Sequence, residues 1–169
     1  MPLTPAGAGS AAPLAPVELQ EISARVDSWA AALAASGPGV LGVDRDHSDL
    51  AARRWFVRLA GEDKAVTTVW LTLRERTLHV ETQFMPAPEE NVGACFEYLL
   101  RSNADLHGLA FCIGWEDAVY LVGRLPAEWV DADALDRLVG GALSWTEEHF
   151  RNAMSIGFAS RYRFASRKS

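Results

Sequence analysis

Between Arg53 and Phe84 the chain carries three successive β-rich runs, RRWFVRLA, VTTVWLTL and TLHVETQF, parted only by Gly61-Glu62-Asp63-Lys64-Ala65 and by Arg74-Glu75-Arg76. Branched and aromatic residues between such short polar breaks point to an antiparallel meander. The last run alternates cleanly, with Leu78, Val80, Thr82 and Phe84 on one face and His79, Glu81 and Gln83 on the other. Alternation constrains the register, because a slip of one residue turns the whole apolar set to the wrong side. Leu71 and Leu73 fall beside Val80 and Leu78 when partner numbers sum to an odd value such as 151, which sets Trp70 opposite Glu81 and Thr72 opposite His79. Val57 facing Val69 then puts Phe56 opposite Trp70 and Arg58 opposite Thr68. The outer face of the sheet is expected to carry Phe56, Arg58, Thr68, Trp70, Thr72, His79, Glu81 and Gln83.

Helical periodicity flanks this core of strands. Leu19, Ile22, Val26, Trp29 and Leu33 recur at helical spacing until Gly37-Pro38-Gly39, predicting a first helix over 17–36. The stretch VLGVDRDHSDLAAR that follows is a polar connector with room for one short strand. Its Asp44, Asp46 and Asp49 lack the central glycine and terminal glutamate of a calcium loop. Pro88-Glu89-Glu90 suits the first turn of a second helix, which carries Val92, Cys95, Phe96, Leu99 and Leu100 as one stripe and ends near Leu106. LAFCIGW and AVYLVGRLP, joined by Glu116-Asp117, form a hairpin expected to be buried more deeply than the meander. Asp131 caps a third helix running past Gly140-Gly141, where close packing or a bend is expected, to Met154. The order α-β-β-β-α-β-β-α, without regular βαβ alternation, predicts an α+β fold with helices on one face of an antiparallel sheet.

A chain of 169 residues that is 49% hydrophobic can fill one sizeable core. Residues 1–16 lack the basic start and apolar run of a signal peptide and form an expected flexible leader. The single domain is expected to span 17–160, with a basic tail over 161–169. No window reaches the roughly 20 apolar residues of a membrane span, so a soluble, cytoplasmic protein is expected. Cys95 and Cys112 are too few for a disulfide framework or a cysteine-rich zinc site and are expected as small core residues. The net charge is −6, yet Arg161, Arg163, Arg167 and Lys168 make the tail +4 and leave −10 for the body. That acidic body opposes nucleic-acid binding, for which only the tail, expected as a solvated, mobile end, is a candidate.

No motif for phosphate binding, zinc binding or a nucleophile elbow occurs, and no cofactor or metal is implied. Four histidines are present. His79 with Glu81 two residues on could form a base and its orienting carboxylate, the one enzymatic alternative. His149 has no second histidine a turn away, and His47 and His107 fall at loop and capping positions. The six tryptophans, at 29, 55, 70, 115, 129 and 145, are expected mostly in the core. On the outer face, however, Phe56 and Trp70 form neighbouring aromatics in a polar field, as interface anchors do. Phe56, Arg58, Trp70, Thr72, His79 and Glu81 are therefore the candidate protein- or peptide-binding residues. The first helix covering them, self-association through them and a partner site remain open alternatives.

The stretches RRWFVRLAGEDKAVTTVWLTLRERTLHVETQFMPAPEEN, EYLLRSNADLHGLAFCIGWEDAVYLVGRLP and FRNAMSIGFASR resemble a bacterial YbjN-domain protein over about 53–161. The resemblance implies a fold similar to type III secretion chaperones, small α+β proteins that commonly dimerise and hold unfolded segments of clients. It also implies a role as a sensory transduction regulator and no catalytic residues. The resulting expectation is a non-catalytic, homodimeric module that binds a protein or peptide client.

Overall fold

The computed structural model describes residues 12–48 and 53–165. Among these residues, four helices accompany a six-stranded, wholly antiparallel sheet: α1 (Pro16–Ala34), β1 (Val40–Arg45), β2 (Arg53–Ala60), β3 (Val66–Leu73), β4 (Thr77–Met85), α2 (Val92–Ser102), β5 (Ala110–Ile113), β6 (Val119–Pro126), α3 (Ala132–Gly157) and α4 (Ala159–Ala165). The strand order is β1-β2-β3-β4-β6-β5. The expected connector thus supplies an edge strand, β1. Asp44 in it pairs with Arg58, Asp46 accepts from the Ser48 amide and hydroxyl, and Asp49 lies outside the described residues.

The register matches the parity derived from the sequence. Trp70 pairs with Glu81, Thr72 with His79, Phe56 with Trp70 and Arg58 with Thr68. Trp55, Val57, Val69, Leu71, Leu78, Val80 and Phe84 are buried on the opposite face, where the helices pack. There α1 contributes Leu19, Ile22, Val26 and Trp29. Its Asp27 accepts from Trp55 Nε1 at 2.8 Å and pairs with Arg45, so α1 is fastened to the inner side of β1 and β2. The alternative in which the first helix covers Phe56 and Trp70 is thereby overturned.

Two helix ends differ from expectation for identifiable reasons. The second helix begins at Val92, not at Pro88, because the Glu89 and Glu90 amides donate to Gly157 O at 3.0 and 2.9 Å instead of entering a helix. The Glu90 carboxylate accepts the Ser160 amide at 3.1 Å and hydroxyl at 2.9 Å, and Glu89 pairs with Arg161 at 2.9 Å. These carboxylates do meet the positive end of a helix dipole, but it belongs to α4. Part of the expected mobile tail, residues 161–165, therefore lies in α4, and 166–169 fall outside the described residues. The second helix also stops earlier than expected, at Ser102. A side chain at Gly157 would place Cβ 2.8 Å from the Pro88 ring, so the close approach of this loop to α3 requires glycine there. Gly140 shows the reverse, with nothing within 4 Å of the point where a Cβ would stand.

Candidate functional site

The outer face of the sheet is built from rows of paired residues running across the strands. One row reads Phe56, Trp70, Glu81, Val122 and Ala110 across β2, β3, β4, β6 and β5. The next, two residues along each strand, reads Arg54, Thr72, His79 and Arg124. Phe56 and Trp70 meet edge to face with ring centroids 6.4 Å apart, and Trp70 is 42% exposed. Arg58 is tied at 2.8 Å to Asp44 on the edge strand. The six sequence candidates Phe56, Arg58, Trp70, Thr72, His79 and Glu81 therefore share one surface that, among the described residues, carries no helix.

The second hairpin extends that surface, which corrects the expectation that it is buried more deeply than the meander. Leu121 and Val119 point to the core, whereas Tyr120, Val122 and Arg124 face outward beside Gln83, Glu81 and His79. The signal was present in the alternation of AVYLVGRLP, where a tyrosine and an arginine occupy every second position. An open hollow of ≈ 510 Å³ lies here, lined by His79, Glu81, Cys112, Val122 and Arg124. Cys112 is half-buried on this face and not in the core, unlike Cys95, which is fully buried.

Electrostatics separate His79 from Glu81. Burial, then Arg74 and Arg124, hold the His79 imidazole below the usual histidine range, and Glu81 is not among the groups that act on it. Burial and the Glu81 carboxylate instead push the Cys112 thiol up. A base oriented by its carboxylate would show the opposite coupling, with the anion favouring imidazolium. Among the other histidines, His149 shares a 2.8 Å hydrogen bond with Tyr98 OH and stacks on Trp145, while His47 and His107 are exposed. Among the described residues, no three His, Cys, Asp or Glu side chains gather as metal ligands would, and no helix is long and apolar enough to cross a membrane.

A second surface is one that the sequence reading does not single out. Leu100 and Ile113 are 72% and 53% exposed around a groove of ≈ 270 Å³ between α2 and β5, floored by Phe96, Leu99, Phe111 and Val119. The expectation of mostly core tryptophans also fails. Trp29 and Trp55 are buried, Trp145 is half-buried, and Trp70, Trp115 and Trp129 are exposed. The wide apolar stripe of the second helix held the signal, since a four-residue edge strand cannot cover all of it.

Comparison with known proteins gives a consistent result. The family model YbjN, described as "Putative bacterial sensory transduction regulator", matches residues 24–153. An uncharacterised protein of Mycobacterium leprae is 33% identical over 107 residues, 63% of this chain and 58% of that one. One of Mycobacterium tuberculosis H37Rv is 34% identical over 105 residues, 62% of this chain and 57% of that one. The match thus spans less than two thirds of the length of these relatives. In fold the chain is similar to one in the heterodimeric complex ExoU-SpcU from the type III secretion system of Pseudomonas aeruginosa, with TM-score 0.53, 15% identity and coverage of 75% and 95%. Likewise it is similar to a chain of the ExsC-ExsE complex, with TM-score 0.55, 15% identity and coverage of 79% and 93%. A chain of the HopA1-SchA chaperone-effector complex gives TM-score 0.55, 12% identity and coverage of 82% and 99%.

Proposed function

The chain belongs to the YbjN family, and from that premise we propose that it is a non-catalytic module, chaperone-like or regulatory, whose outer sheet face binds a segment of a partner protein. The observation that carries this reading is Trp70, 42% exposed and braced by Phe56 in a polar field on the side of the sheet that no helix covers among the described residues. A large, rigid aromatic left half in water is an anchor that association can desolvate. The fold neighbours, drawn from complexes with partner proteins, support the same role.

The enzymatic alternative gains no support from His79, whose imidazole is held below the usual histidine range by burial and by Arg74 and Arg124. Of the four cations in the tail, Arg161 is engaged by Glu89 and lies over the Phe158 ring, which counts against a nucleic-acid contact through that residue. We also propose a homodimer, with a second copy on the α2 and β5 groove, and a cytoplasmic location, in keeping with two unpaired cysteines.

The test compares proteins retained from the host lysate by the wild-type chain with those retained by Phe56→Ala and Trp70→Ala variants of equal melting temperature. Partners held by the wild type and lost from both variants are expected. A retained set that neither substitution changes would remove the outer face from the function.

A further inference from the structure

Building on the outer-face reading, we propose that the bound segment is extended and acidic, with a carboxylate two or three residues from an apolar side chain. The apolar group covers Phe56 and Trp70, and the carboxylate meets Arg74 and Arg124.

The charge pattern of the described residues motivates this assignment. Arg45, Arg58, Arg101, Arg151 and Arg161 each hold a carboxylate within the chain. Arg74 and Arg124 are exposed and make no such pair among the described residues. Arg124 pairs with His79 across β6 and β4, and Arg74 closes the turn from β3 to β4 with its amide on Thr77 O, so both charges flank the His79 imidazole, on which both act. In a chain of net charge −6, this is a local concentration of unmatched cations. Arginine presents a planar fork of donors matched to a carboxylate, and Thr72, paired with His79, adds a hydroxyl donor.

Glu81 fixes where the acid goes. It stands in the row of Trp70, so a carboxylate there would be repelled, while one in the row of His79 is attracted. The two rows are two residues apart along a strand, about 7 Å, and β3 and β4 are about 5 Å apart. The anchor point over Trp70 and the anion point over His79 are thus separated by about 8 Å, a span of two to three extended residues.

A random dodecamer display library panned on the full chain tests this, with selected peptides resynthesised and titrated by tryptophan fluorescence. Selected sequences are expected to carry Asp or Glu two or three positions from an aromatic or aliphatic residue. The exposed pair Arg74→Glu with Arg124→Glu is expected to weaken binding about tenfold or more, and a Lys in place of the acidic residue of the peptide to recover it. If selected peptides lose affinity with Trp70→Ala but not with the double charge reversal, the acidic assignment is overturned while the outer-face reading stands. If no peptide is selected, or none responds to either change, both readings fall.

Discussion

Trp55 and Trp70 stand on adjacent strands, yet one is 1% exposed and the other 42%. Residue type cannot distinguish them. Strand parity can, because Trp55 shares a side with Val57 and Leu59 whereas Trp70 shares one with Thr68 and Thr72. The energetic consequence is measurable by denaturant melts at concentrations where the protein is monomeric. Trp55→Ala should cost about 3 to 5 kcal/mol, since it leaves a cavity and strands Asp27 without its indole donor. Trp70→Ala should cost about 1 kcal/mol or less. Equal losses would mean that Trp70 is held by contacts that an open face does not provide. The candidate site was legible to this extent: Phe56, Trp70, Thr72, His79 and Glu81 follow from alternation alone. Arg74 and Arg124 were not, because their approach to His79 depends on a turn and on β6 being the neighbour of β4, a pairing of distant segments that local pattern does not specify.

Among the elements, α3 shows how a contact overrides propensity. Gly140 and Gly157 lie in the same helix, and alanine exceeds glycine in helix propensity by about 1 kcal/mol. Propensity alone predicts that either substitution stabilises. Gly140→Ala should do so by up to about 1 kcal/mol, as its new methyl meets nothing within 4 Å. Gly157→Ala should instead destabilise by about 1 to 3 kcal/mol, because Pro88 must move and the hydrogen bonds from Glu89 and Glu90 to Gly157 O are strained with it. Thermal melts of the two variants decide the matter, and a gain at both positions would show that the Pro86–Asn91 loop is loosely held. The start of the second helix escapes a reading of local sequence for this same reason. Pro88-Glu89-Glu90 has the composition of a helix start, and only the tertiary contact with α3 and α4 shows which helix its carboxylates serve.

At the scale of the whole molecule, the outer sheet and the groove between α2 and β5 are both open among the described residues, and their chemistry differs. The outer face has segregated charge, with cations at one end that call for an unlike partner. The groove combines its own protrusion, Leu100, with an apolar hollow and flanks them with Glu97 and Arg101, a pair 2.7 Å apart and largely exposed. A two-fold interface must be self-complementary, and antiparallel α2 helices would place Glu97 of one copy against Arg101 of the other while Leu100 enters the opposing groove. Light scattering at micromolar concentration should therefore give twice the chain mass of 18.4 kDa. Leu100→Asp should return it to the monomer without lowering the stability of that monomer by more than about 0.5 kcal/mol, since the residue is exposed within one chain. Glu97→Arg should weaken the dimer by setting cation against cation, and Glu97→Arg with Arg101→Glu should restore it, a reciprocity that loss of unrelated contacts cannot imitate. A monomeric wild type, or a double variant no better than the single one, would mean that the groove serves something other than a second copy.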